Sequence, residues 1–194
     1  DLPGRARGTI DLTADAPRLD AVHGSFVTDT LSLQTRTGTY SQDGPGRVRI
    51  EHGVAIVESF VVVGPDSRIQ VSGRADLSGE AIDVLVEGTA SMSMVDALVA
   101  PRVGGWADIE LHVGGSISAP VLDGSVALRD VSAVSPTARL VLADLNGSAT
   151  FRPGAVESVD VRGQLNGGTI TLTGKFPLAQ TKTDGSLAFV ARDI

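Results

Sequence analysis

The chain contains no cysteine. That excludes a disulfide framework, a thiolate zinc site and a thiol nucleophile. Aromatic residues are scarce, with five Phe, one Trp and one Tyr in 194 residues. A carbohydrate-active cleft, which needs aromatic platforms, has little to draw on. The formal net charge is −7, and Lys and Arg form no cluster. A nucleic-acid surface requires a basic stripe with interleaved aromatics, so that class is set aside. Apolar runs are short. None approaches the roughly 18 residues of a membrane-crossing helix. The chain opens at Asp1 without Met or a signal-like apolar segment, and strand pattern runs up to both ends. It is expected to be a mature chain or an excised segment.

What is present is alternation. Ile69 and Val71 are interleaved with polar Arg68, Gln70 and Ser72. Ile82, Val84 and Val86 repeat the pattern, as do Ile109, Leu111 and Val113, Leu140 and Leu142, and Ile170 and Leu172. Period two predicts strands with one apolar face and one wet face. One-sided strands suit an antiparallel sheet, because parallel strands are buried on both faces. Gly is frequent, and turn chemistry is read at Asp43-Gly44-Pro45-Gly46, Gly64-Pro65-Asp66, Gly104-Gly105, Gly114-Gly115, Asn146-Gly147 and Asn166-Gly167. One stretch departs from the rhythm. Ser93 can cap a helix that Pro101 stops, and Val95, Leu98 and Val99 share a helical face, so a short helix is predicted near 93–100.

A repeat underlies the pattern. Ala16-Pro17-Arg18-Leu19-Asp20 recurs as Ala119-Pro120-Val121-Leu122-Asp123, and Gly24-Ser25 recurs as Gly124-Ser125. Gly53, Ile69, Gly73 and Leu77 match Gly154, Ile170, Gly174 and Leu178 at a constant offset of 101. The expected organisation is a single elongated segment of two repeats, approximately 8–106 and 107–194, the second truncated. A fixed period in one-sided β sequence predicts units that stack into an extended sheet.

Residues that could carry chemistry have ordinary readings beside the special ones. Asp108, Glu110 and His112 would share a strand face, but strand spacing holds such donors roughly 7 Å apart, too far for one ion without a curl. His23, His52 and His112 accompany many serines, yet no G-x-S-x-G elbow occurs. Gly168 to Gly174-Lys175 has the wrong spacing for a phosphate loop. Asn146-Gly147-Ser148 spells a glycosylation sequon and reads as a hairpin turn. The chain is therefore expected not to be an enzyme and to need no metal or cofactor.

Two phrases give the sequence a family likeness. The stretch Gly115-Ser116-Ile117-Ser118-Ala119-Pro120-Val121-Leu122-Asp123-Gly124-Ser125-Val126-Ala127-Leu128 resembles the recurring "G-x-(apolar)-x-x-P-x-(apolar)-x-G-x-(apolar)-x-(apolar)" phrase of the TamB and AsmA-like proteins. Residues 140–151 and 165–174 are similar to theirs as well. The resemblance implies an all-β fold, the β-taco: an elongated, curled antiparallel sheet of short strands around an apolar inner groove. It also implies a periplasmic segment of an inner-membrane-anchored bacterial protein that moves phospholipid between inner and outer membranes. An outer-membrane barrel partner of the TamA type is implied too.

The candidate groove residues are Ile50, Ile69, Val71, Ile82, Val84, Ile109, Leu111, Val126, Leu128, Leu140, Leu142, Phe151, Val159, Val161, Ile170 and Leu172. With few aromatics in the chain, the wall is expected to be a smooth one of branched aliphatics that holds phospholipid acyl chains. Two other readings compete. One is a structural or adhesive repeat protein whose apolar face is a sealed core. The other is a carbohydrate-active enzyme, which would need convergent carboxylates.

Overall fold

The fold is all-β and antiparallel. The computed structural model describes residues 4–35, 37–97, 102–135, 139–178 and 185–193. Thirteen strands and two short 3-10 helices account for most of them. Backbone contacts divide the chain into two compact units. The first comprises residues 1–88 and 112–121, the second residues 89–111 and 122–194. The chain passes from one unit to the other within three strands, β7, β8 and β9, whose bounds are given below.

In the first unit the strands are β1 (Gly4–Ala14), β2 (Val22–Thr35), β3 (Gly38–Gln42), β4 (Gly46–Glu51), β5 (Val54–Gly64), β6 (Ser67–Asp76) and most of β7 (Ile82–Ser91). Their order is β1-β2-β3-β5-β6-β7. Strands β3 and β4 share one position. The start of β2 pairs with β4 and its end with β3, and β5 does the same from the other side. Pro45 separates them because it has no N–H to give to a ladder.

The second unit holds most of β8 (Arg102–Gly115) and of β9 (Pro120–Ser135), then β10 (Leu140–Arg152), β11 (Ala155–Leu165), β12 (Gly168–Pro177) and β13 (Ser186–Arg192), in sequence order. Here the single strand β10 lies between β9 and β11, where the first unit has β3 and β4. Gly46 opposite Thr28 in one unit corresponds to Gly147 opposite Leu128 in the other.

The strands are longer than the short ones expected, up to 16 residues in β9. Two predicted breaks lie inside strands instead of ending them. Gly104-Gly105 lies inside β8, and Asn146-Gly147 lies inside β10 rather than forming a hairpin turn. Ladder register shifts on both sides of β10 beside Asn146. The Asn146 side chain accepts a hydrogen bond from the Asp130 N–H (3.0 Å) and donates one to the Asp144 carbonyl (3.0 Å). Gly147 has φ 153, and a Cβ there would strike the carbonyl oxygen of Asp160. These are β-bulges, which use turn-type residues to bend a strand without ending it. Asn166-Gly167 does form the turn expected, with φ 50 and 90 between β11 and β12.

The predicted helix near 93–100 is a 3-10 helix at Met92–Ala97, and residues 98–101 lie outside the described residues. A further 3-10 turn, Leu19–Ala21, was not foreseen. Fully buried apolar side chains are few among the described residues: Tyr40, Ala107, Val131 and Val156. Among the described residues, the only helices are the two short 3-10 turns, and all thirteen strands belong to one sheet order.

Candidate functional site: the apolar sheet face

Residues directly opposite in an antiparallel ladder share a face, so register sorts the side chains. In the first unit Ile50 stands opposite Gly24 and Ala55, and Ala55 opposite Ala75. Alternation along β6 then adds Val71 and Ile69, which face Phe60 and Val62. Ile82 and Val84 flank Asp83, whose carboxylate is engaged on the other side by Arg74 and His112. Five predicted residues therefore occupy one face of this unit.

The second unit repeats the arrangement. Leu128, Gly147, Val161, Leu172 and Phe189 form one cross-strand row. Val126, Ala149, Val159 and Gly174 form the next, and Gly124, Phe151, Val156 and Phe176 a third. Ile170 lies opposite Gly163, and Leu142 opposite Leu165 and Ala133. Leu140 is on the same side as Leu142 by alternation. Ile109 and Leu111 alternate with Asp108, which bonds to Thr89 and Arg129 on the opposite side.

All sixteen predicted residues thus lie on apolar faces, and none of them is fully buried. Fifteen are half-buried and Leu140 is 42% exposed. A sealed core would leave such side chains almost without solvent contact.

One expectation about this surface needs correction. All five Phe of the chain (Phe26 and Phe60 in the first unit, Phe151, Phe176 and Phe189 in the second) fall on the apolar faces, so the wall is not smoothly aliphatic. Tyr40 joins them in the first unit, opposite Leu33. Tyr40 and Phe60 lie over Gly64 and Gly46, where any Cβ would collide with their rings. Glycine leaves a hole in a pleated surface, and a neighbouring aromatic covers it. Phe151 is among the predicted residues; Phe26, Phe60, Phe176, Phe189 and Tyr40, with Ile10, Leu12 and Val48, were missed. The signal for the last three lies in Ile10-Asp11-Leu12 and Val48-Arg49-Ile50, which alternate like Ile69-Gln70-Val71.

The opposite faces are laced with ion pairs. Arg49 reaches Glu51 at 2.8 Å, Arg68 reaches Asp43 at 2.8 Å, Arg129 reaches Asp108 at 2.7 Å and Arg152 reaches Asp123 at 3.0 Å. The Asp108–Glu110–His112 row does not act as one group. Asp108 is held within the second unit by Thr89 and Arg129, whereas His112 Nε2 lies 2.7 Å from Asp83 in the first. A shallow depression of about 410 Å³ beside Arg74 and Asp83 is lined by Ile56, Glu58 and Leu85 on this charged side.

The hydrogen bond from His112 is the largest influence holding the Asp83 carboxyl below its ordinary value of 3.8; desolvation opposes it, and Arg74 adds to it. A carboxyl lowered in the folded state contributes stability above its unfolded pKa. That contribution disappears as pH falls through the folded value. Asp83→Asn is accordingly expected to melt below the parent at about pH 6, with the two curves converging near pH 2. Thermal melts followed by circular dichroism across that range check it; an offset that persists at low pH would assign the loss to packing.

No helix among the described residues is long and apolar enough to cross a membrane. No family model, curated protein or solved structure matches the chain.

Proposed function

We propose that this chain is a non-enzymatic, lipid-holding segment of a bacterial envelope protein of the TamB and AsmA-like kind. The observation that supports the reading is the partial exposure of a continuous apolar face in each unit. The sixteen candidate groove residues lie on those faces, and none is closed off from solvent. A structural or adhesive repeat with a sealed core would bury them.

Acyl chains are the ligand that such a face suits. Each buried methylene contributes about 0.8 kcal/mol, so a sixteen-carbon chain fully covered would gain on the order of 10 kcal/mol. A groove open on one side yields less. The headgroup stays in water, since burying an ionic group is costly. Rows of Val, Leu and Phe offer similar contacts from strand to strand, which favours sliding along the sheet. Sliding has no intrinsic direction, so supply and removal of lipid at the ends, or a partner, would set it. In this reading the segment is periplasmic, its parent is anchored in the inner membrane, and its cargo is phospholipid bound for the outer membrane. A barrel of the TamA type is the partner the reading implies.

The test is chemical. Purified chain should carry phospholipid through chromatography, detected by solvent extraction and mass spectrometry. A photo-crosslinking residue at Leu142 or Ile170 should capture that lipid, and one at Arg162 on the charged side should not. Lipid-free protein that captures nothing at Leu142 or Ile170 in the presence of phospholipid vesicles would end the proposal.

A further inference from the structure

The two asparagines of the chain, Asn146 and Asn166, are each followed by glycine. In an Asn-Gly pair the glycine nitrogen can attack the asparagine Cγ, because glycine has no Cβ to block the approach. The attack needs a polarised side-chain carbonyl, an amide group free to leave and a backbone free to rotate. The fold supplies these unequally.

Both side-chain carbonyls are polarised. Asn146 Oδ1 accepts the Asp130 N–H (3.0 Å) and Asn166 Oδ1 accepts the Val141 N–H (2.9 Å). Such a donor stabilises the negative charge that develops on the oxygen under attack. At Asn146 the leaving amide is anchored, since Nδ2 donates to the Asp144 carbonyl (3.0 Å) and the Asp130 carboxylate (3.3 Å). Gly147 has cross-strand partners on both sides, Leu128 and Val161, and the Asp160 carbonyl sits where its Cβ would be. Its nitrogen reaches Cγ only if β10 leaves the ladder. Asn166 and Gly167, by contrast, are exposed and lie outside the ladder, between the paired residues Leu165 and Gly168. A Cβ on Gly167 would meet nothing within 4 Å, so the backbone there can rotate without displacing a neighbour.

We propose that Asn166 is a site of slow self-modification. The Gly167 nitrogen bonds to Asn166 Cγ, and its proton leaves with the side-chain amide as ammonia, closing a succinimide ring. Water then opens the ring. Opening at Cγ gives aspartate; opening at the former main-chain carbonyl gives isoaspartate, whose main chain runs through Cβ and Cγ. Only water is consumed, and nothing is oxidised or reduced. The two products act differently on the fold. Asn166 clasps β10, donating its N–H to the Val141 carbonyl (2.8 Å) while Oδ1 accepts the Val141 N–H. Aspartate keeps an oxygen in that place. Isoaspartate takes the oxygen into the main chain and adds a methylene to it, so the clasp loses its geometry. The loss falls beside Leu142 and Leu165, which pair on the apolar face.

The test ages full-length protein for weeks at physiological temperature in mildly alkaline buffer. Trypsin leaves the two sites in separate peptides, residues 163–175 and 140–162, because Pro153 protects the bond after Arg152. Mass spectrometry counts the conversion of amide to acid, and enzymatic methylation of isoaspartyl carboxyls identifies isoaspartate. Conversion is expected to run at least about tenfold faster at Asn166 than at Asn146, since a turn opens at lower free energy than a two-sided ladder. In urea the two sites should convert at similar rates. Isoaspartyl protein, separated by ion exchange, should melt below the parent, whereas Asn166→Asp should melt with it. Folded protein that converts Asn146 as fast as Asn166, or keeps Asn166 intact while the unfolded chain loses it, would overturn the proposal. So would a preference for Asn166 that persists in urea, or isoaspartyl protein that melts with the Asn166→Asp variant.

Discussion

Replacing Tyr40 by alanine is expected to destabilise the protein by about 3–5 kcal/mol, the range for removing a large buried aromatic. Tyr40 is 2% exposed and is the largest fully buried side chain among the described residues. It stands opposite Leu33 at the meeting of β2 and β3, and its ring fills the space above Gly64 in β5. Few other side chains are so enclosed, so the cavity has little neighbouring mass to collapse into it. The hydroxyl contributes little, since Tyr40 Oη is buried without a hydrogen-bond partner among the described residues. Tyr40→Phe should therefore stay within about 1 kcal/mol of the parent. Gly64→Val should cost about 1–3 kcal/mol by forcing the ring away. Urea unfolding monitored by circular dichroism measures all three. If Tyr40→Ala and Tyr40→Phe lose equally, the hydroxyl rather than the ring is what the site needs.

Tyr40 also marks where sequence reading ran out. The apolar faces were legible because period two survives in segments such as Ile69-Gln70-Val71 and Ile170-Thr171-Leu172, and the ladder keeps their parity. Gly24 and Gly124, with φ 145 and 132, recur at a spacing that reflects a shared packing need. Each takes a backbone approach from the neighbouring strand that no side chain would permit. Bulges were not legible. Asn146-Gly147 and Asn166-Gly167 are the same dipeptide, yet one bends a strand and the other reverses the chain. Both side chains accept a backbone N–H from a distant residue, Asn146 from Asp130 and Asn166 from Val141, so the dipeptide's own chemistry does not tell a bulge from a turn. A long-range partner of that kind leaves no local signature. The aromatic contribution was missed for a related reason. Scarcity in the whole chain said nothing about segregation, and every Phe was placed on the same kind of face.

The lipid reading makes its sharpest demand at Leu142. Leu142→Asp is expected to remain folded while lipid capture by a photo-crosslinker at Ile170 falls by roughly a hundredfold, corresponding to about 3 kcal/mol of lost binding. The residue is half-buried, opposite Leu165 on one side and Ala133 on the other. A carboxylate there can keep water around itself, so the folded state suffers less than it would in a closed interior. An acyl chain lying across the same spot gains no such relief. It loses contact with several methylenes, at about 0.8 kcal/mol each, and must pass a hydrated charge. Arg162→Gln, on the charged face of β11, should leave capture unchanged. The informative comparison is between melting and capture in the Leu142→Asp protein. Retained melting with lost capture supports a wall that touches lipid. Lost melting with capture unchanged in the surviving folded fraction assigns Leu142 to packing alone, and the open face would then need another occupant.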